Sequence, residues 1–184
     1  MNSDRLKNEI LFDHVTVNAN SCSLAEACVG GVGDRRVLRF SVEAVNQGQA
    51  DLVVPPPAER PDLFQFSPCH GYFHFSGFAE YLLLDGSGNT VLTGHKQAYC
   101  MEDTTQVEEG PGVACVKRYT CDEQGIQAGW SDLYGNALDC QWLDITGLPP
   151  GDYDLEVTVN PNRTFEEMSF ANNSARVKVT IPAP

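Results

Sequence analysis

Strict alternation of apolar and polar residues constrains this chain more than anything else in it. In "VLRFSVEA", Leu38, Phe40, Val42 and Ala44 fall on one side, while Arg39, Ser41 and Glu43 fall on the other. "GDYDLEVTVNP" repeats the pattern with Tyr153, Leu155, Val157 and Val159, and "SARVKVTI" with Ala175, Val177, Val179 and Ile181. A period of two belongs to half-buried strands, and turns such as "LPPGD" and "DGSGN" separate them. The expected fold is all-β, an antiparallel β-sandwich. The one helix candidate, "SLAEACV", is short.

At 184 residues the chain is expected to form one domain, residues 1–184, with a sizeable core. Residues 55–145 are less regular, with a proline-rich loop, "PPPAERP", and an acidic one, "EDTTQVEEGPG". Seven cysteines are scattered with no C-x-x-C pair, which suits disulfides in an oxidising compartment better than a zinc knuckle. The odd count leaves at least one without an intramolecular partner. A long, loop-rich region stapled by disulfides onto the sandwich is the expected seat of function. The chain is expected to be secreted or extracytoplasmic. Its start, "MNSDRLKNEI", has no apolar signal core, so any signal was removed or was never part of this chain. No apolar run reaches the roughly 20 residues that span a membrane, so no membrane partner is expected. The net charge of −13 argues against nucleic acid, which needs a basic face. It favours cationic partners such as amines or lysine-rich proteins, or serves solubility alone.

Three segments carry candidate chemistry. "CHGYFHF" places His70, Tyr72 and His74 at alternate positions, on one face of an extended chain. Imidazole suits copper(II) or zinc(II), and redox chemistry favours copper. Two histidines need a third ligand, for which His14, His95, the Tyr72 phenolate and water are the candidates. The alternative is two half-buried histidines bonded to backbone groups in an aromatic core. "GHKQAYCMED" holds His95 and Lys96, and "LYGNALDCQWLDIT" holds Tyr134. Taken singly, Lys96 reads as a solvated surface lysine and Tyr134 as a core residue.

Together and in order, "CH-x-x-x-H", "GHK-x-x-x-C-x-ED", "YG-x-x-x-DCQW-x-DIT" and a closing "NN" resemble the catalytic domain of the lysyl oxidase family, from about residue 15 to 181. The short chain looks like a microbial member. The resemblance implies a copper-dependent amine oxidase that converts primary amines, peptidyl lysine among them, to aldehydes with release of ammonia and hydrogen peroxide. It implies a lysine tyrosylquinone cofactor built from Lys96 and Tyr134, with Cu2+ held by His70 and His74 and molecular oxygen as co-substrate. The family's middle copper histidine maps to Tyr72. Three outcomes follow: Tyr72 ligates as phenolate, His95 or water fills the position, or copper chemistry is lost and the chain is a non-catalytic binding or scaffold sandwich. His95, inside the "GHK" motif, has orientation of the site as its other role.

By position, the resemblance pairs Cys22 with Cys69, Cys28 with Cys140 and Cys100 with Cys121, and leaves Cys115 over. A further family pair maps to Gln106 and Trp130. The resemblance also extends to Ca2+ at "FEEMSFANN", through Glu167, Asn172 and Asn173 with an N-terminal oxygen such as that of Glu9. Ser169 stands there where the family has an aspartate. Oxygen-only ligation suits calcium, and capping of a turn by the asparagines is the other reading.

Overall fold

The structure, a computed structural model, describes residues 1–94, 100–110 and 112–183. The elements run α1 (Ser3–Asn8), β1 (Leu11–Val17), α2 (Cys22–Ala25), β2 (Gly33–Arg39), β3 (Val42–Val45), β4 (Leu52–Val53), β5 (Phe64–Ser67), β6 (Tyr72–Phe75), β7 (Ala79–Leu84), β8 (Thr90–Thr93), β9 (Thr105–Gln106), β10 (Gly125–Ile126), β11 (Trp130–Tyr134), β12 (Trp142–Asp144), β13 (Gly151–Val159) and β14 (Ser174–Ile181). Every pairing between these strands is antiparallel. The fold is all-β, and no barrel closes among the described residues.

The broadest sheet has the order β14-β13-β7-β8. Its alternating residues Ala79, Tyr81, Leu83, Leu155, Val157, Val179 and Ile181 are buried in one core with Leu38, Phe40, Val42, Leu143 and Ile145 from the opposite layer. Phe40 meets Tyr81 edge to face, with centroids 5.0 Å apart. That opposite layer is divided into the sheets β1-β2-β12 and β3-β11-β9, while the two-stranded β5-β6 and β4-β10 pairs stand apart from both.

"VLRFSVEA" is therefore two strands in two sheets rather than one. The chain leaves β2 at Arg39 and enters β3 at Val42. The peptide groups at the crossover bond elsewhere. The Gln141 side-chain amide donates to the Phe40 carbonyl at 3.1 Å, and the Ser41 hydroxyl accepts from the Asn136 N–H at 2.9 Å. With both faces covered here, the polar side of the pattern is buried too: Ser41 and Glu43 lie within the protein. A buried carboxylate needs partners. Glu43 receives hydrogen bonds from Asn2 (2.7 Å), Arg5 (2.8 Å) and the Ser131 hydroxyl (2.7 Å). It thereby ties α1 to the β3–β11 pair.

Three disulfides join Cys22 to Cys69, Cys28 to Cys140 and Cys100 to Cys121, and Cys115 is exposed as a free thiol. The Cys28–Cys140 bridge closes a separation of 112 residues, long enough for the loop-entropy contribution to be about 5 kcal/mol. Replacing both cysteines by serine should lower the unfolding free energy by about that amount, read from full denaturant curves with the slope fitted for each protein, since the released unfolded chain exposes more surface. Burial alone would push the Glu43 carboxyl up, but the bonds from Ser131, Arg5 and Asn2 outweigh it and hold the group below its ordinary 4.5. A carboxylate with a depressed folded value stabilises the protein above its unfolded value, and that stability is lost as pH falls through the folded one. Glu43→Gln should therefore cost about 2 kcal/mol at pH 7. It should also flatten the fall in melting temperature between pH 5 and pH 3, roughly the titration range of a depressed carboxylate.

Candidate metal centre and tyrosine pocket

The site is assembled on the β5–β6 hairpin. Ser67 faces Tyr72 and Gln65 faces His74 across the pair. Residues 68–71 make the turn, and Gly71 supplies its left-handed position with φ +75° while its N–H donates to the Ser67 carbonyl at 2.8 Å. His70 therefore sits in the turn, not on the strand. Its backbone N–H donates to the Ser67 hydroxyl at 3.2 Å. The rings still gather, with centroids 5.6 Å apart for His70 and Tyr72, 5.3 Å for His70 and His74, and 5.1 Å for Tyr72 and His74. The other face of the strand carries Phe73 and Phe75, which pack edge to face on Phe64.

A carboxylate completes the group. Glu26 Oε1 lies 3.1 Å from His70 Nδ1 and accepts a hydrogen bond from the Ser67 hydroxyl. Ligand atoms of Glu26, His70 and His74 all lie within 4.8 Å of one another. Two ligands on one ion, with bonds of about 2.0–2.2 Å, stand no more than about 4.4 Å apart, so the 3.1 Å Glu26–His70 pair fits as it stands and any pair near the 4.8 Å bound must close slightly on binding. The donor set, two imidazoles and a carboxylate, fits a borderline-soft divalent ion such as copper or zinc. His14 is not in this group; it is exposed, opposite Arg36 across β1 and β2, with its Nδ1 3.8 Å from the diagonal Asp34 carboxylate. Burial pushes the Tyr72 phenol up, and the Glu26 and Glu102 carboxylates add to the shift.

Glu26 was not among the residues singled out from the sequence. Its signal lay in a combination. It is one helical turn beyond Cys22, and Cys22 is bonded to Cys69, the neighbour of His70. The segment is held from its other end by "DCQWLDIT". Asp139 accepts from the Ser23 hydroxyl at 3.1 Å, and Cys140 is bonded to Cys28. The Trp142 ring nitrogen donates to the Cys28 carbonyl at 3.1 Å, and the Arg39 guanidinium lies over the same ring. Asp144 takes the Gly30 N–H at 2.8 Å and the Arg35 guanidinium at 2.7 Å. The motif is a clamp for residues 22–30.

Tyr134, at the end of β11, is buried beside the ring of Phe78 at 4.8 Å. Its hydroxyl is 2.8 Å from Asp132 Oδ2 and 3.0 Å from the Cys100 carbonyl. Burial pushes the Asp132 carboxyl well above the ordinary carboxylate range, and burial and then Asp132 push the Tyr134 phenol up. Asp132 Oδ1 has no hydrogen-bond partner among the described residues. Glu102, paired with Lys117 at 2.6 Å, adds to the upward push on both the Tyr72 and the Tyr134 phenols. Its neighbour Asp103 is structural, accepting the backbone N–H groups of Arg118, Tyr119 and Gln127. Lys96 and His95 lie outside the described residues. Just before them, Gly94 packs so close to Tyr81 that a Cβ would stand 2.8 Å from its ring, which accounts for the glycine of "GHK".

The C-terminal group is built differently. Glu167 Oε1 accepts from the Asn160 side-chain amide and, at 2.8 Å, from that of Asn173. The Asn172 carbonyl accepts from the Met1 ammonium at 2.9 Å. Glu9 is engaged elsewhere, with Arg5 at 2.7 Å.

A family model described as lysyl oxidase matches residues 2–182. Lysyl oxidase homolog 3B of Danio rerio is 43% identical over 148 residues, which cover 78% of this chain and 17% of that protein. Lysyl oxidase homolog 3 of Homo sapiens is 39% identical over 167 residues, 84% of this chain and 21% of that protein. Lysyl oxidase homolog 2 of Mus musculus is 35% identical over 185 residues, 94% of this chain and 23% of that protein. The chain thus spans about a fifth of the length of the curated relatives it matches. By the extent of the match and the level of identity, the chain belongs to the lysyl oxidase family.

Proposed function

We propose that this chain is a copper-dependent amine oxidase that converts primary amines, peptidyl lysine among them, to aldehydes. The observation that carries the reading is the convergence of His70, His74 and Glu26 on one point within a lysyl oxidase chain. His70 and His74 would hold the copper, and Lys96 and Tyr134 would supply the cross-linked quinone. When bound, copper with oxygen would supply the oxidising equivalents for a quinone built from Tyr134 and Lys96, which would serve as the electron acceptor for the amine. The balanced reaction takes a primary amine, oxygen and water to an aldehyde, ammonia and hydrogen peroxide.

The chain's own residues prepare this chemistry in three ways. The ring of Tyr134 is held by Phe78, while its hydroxyl is held by Asp132 and the Cys100 carbonyl. The Cys100–Cys121 bridge anchors the residue that bears that carbonyl, four positions after Lys96 in the sequence. The acidic surface, with its net charge of −13, draws cationic amines toward the protein. Three disulfides support a site of action in an oxidising, extracytoplasmic compartment. No helix among the described residues is long and apolar enough to cross a membrane. Calcium is the proposed ion for Glu167, Asn172 and Asn173, which all carry hard oxygen donors.

Peptide mapping after aerobic copper loading should recover Lys96 and Tyr134 in one cross-linked peptide. Recovery of the two as separate peptides would leave a non-catalytic sandwich as the reading. Tyr72→His places a third imidazole among rings already 5.1–5.6 Å apart. It should raise copper affinity by at least about tenfold, measured by competition with a chelator of known affinity, about the effect of one well-placed ligand interaction.

A further inference from the structure

We propose that Glu26 is the third protein ligand of the metal, so that the centre is built from two imidazoles and one carboxylate. The inference rests on reading the His70–His74 cluster as a metal site, and goes beyond it by filling the place where Tyr72 has replaced a histidine. The first ground is geometric. Glu26 Oε1 stands 3.1 Å from His70 Nδ1, and donor atoms of Glu26, His70 and His74 share a space no more than 4.8 Å across. That is within a few tenths of an ångström of what ligands around one ion require, at most about 4.4 Å, and it is reached by three residues from two distant segments.

The second ground is the construction of the carboxylate's support. Glu26 is the C-terminal cap of α2, and its backbone N–H donates to the Cys22 carbonyl at 2.8 Å. Cys22 is bonded to Cys69 in the β5–β6 turn, and Cys28 to Cys140. Glu26 is thus bracketed by two bridges, two and four residues away, one of which ends beside His70. Ser67, buried, donates to Glu26 Oε1 and lies 3.3 Å from His70 Nδ1, holding the carboxylate and the imidazole in one arrangement. A carboxylate that merely solvated itself at the surface would need none of this. The third ground is charge. Two neutral imidazoles leave a divalent ion with its full charge in a half-buried site, and one carboxylate ligand halves it.

The test uses the full chain with its disulfides intact and Cu2+ as the probe, read by chelator competition and by electron paramagnetic resonance. Wild type should bind one Cu2+ with echo modulation from two imidazoles. Glu26→Gln should lower affinity at least tenfold and shift the parallel g value and copper hyperfine splitting, and Glu26→Asp should recover part of both. Carbon-13 at the glutamate carboxylates of the wild type should give the strong electron–nuclear coupling of a directly bound carboxylate; this measurement stands even where a variant misfolds. A Glu26→Gln spectrum identical to wild type, or no such carbon coupling, would overturn the proposal and make Glu26 a positioning residue for His70. Absence of stoichiometric Cu2+ binding by the wild type would instead remove the metal reading on which the proposal rests.

Discussion

The site depends on how residues 22–30 are tied down. This segment has four residues of helix, too few to stand alone in water, and no strand. Its position comes from two disulfides and from "DCQWLDIT", in which Asp139, Trp142 and Asp144 bond to it and Gln141 to the neighbouring core. The consequence reaches the chemistry directly. Through Cys22–Cys69 the segment fixes the turn that holds His70, and along its own length it carries Glu26 to the same place. Residues distant in sequence thereby meet within hydrogen-bond distance.

A second theme is the handling of acid in an acidic protein. Surface charge is cheap to solvate, but three carboxylates are inside, and each is treated differently. Glu43 is matched by a cation and two neutral donors, and holds the helix α1 to the sheet. Asp103 collects three backbone N–H groups in a region with little regular structure, doing the work a strand ladder would do elsewhere. Asp132 is the exception, with one oxygen on the Tyr134 hydroxyl and the other without a partner among the described residues. Burial therefore dominates at Asp132 and favours its neutral form. The exception falls beside the tyrosine proposed for the cofactor, and perturbed titratable groups cluster at functional sites.

Much of the fold was legible in the sequence because alternation reports burial on one face. "GDYDLEVTVNP" and "SARVKVTI" became the long paired strands β13 and β14, with Leu155, Val157, Val179 and Ile181 inside. Alternation failed as a guide at "VLRFSVEA". Period two says nothing about which partner a strand takes, and here the chain changes sheets at Phe40 and Ser41, so both faces are covered. The same limit applies to "CHGYFHF". Spacing brings three rings to one side, which they share, but the glycine at 71 puts His70 in the turn.

By itself the sequence determined the all-β class, the use of its cysteines in disulfides rather than a zinc knuckle, and the candidate residues His70, Tyr72, His74, Lys96 and Tyr134. These are properties of local pattern, of composition and of residue order. Only the tertiary structure decided that Glu26 faces His70, that "DCQWLDIT" serves as a clamp, and that Asp132 and the Cys100 carbonyl hold the Tyr134 hydroxyl. The physical reason is common to all three. Each depends on contacts between segments far apart along the chain, made by side chains whose direction is set by bridges and crossovers that no local period encodes.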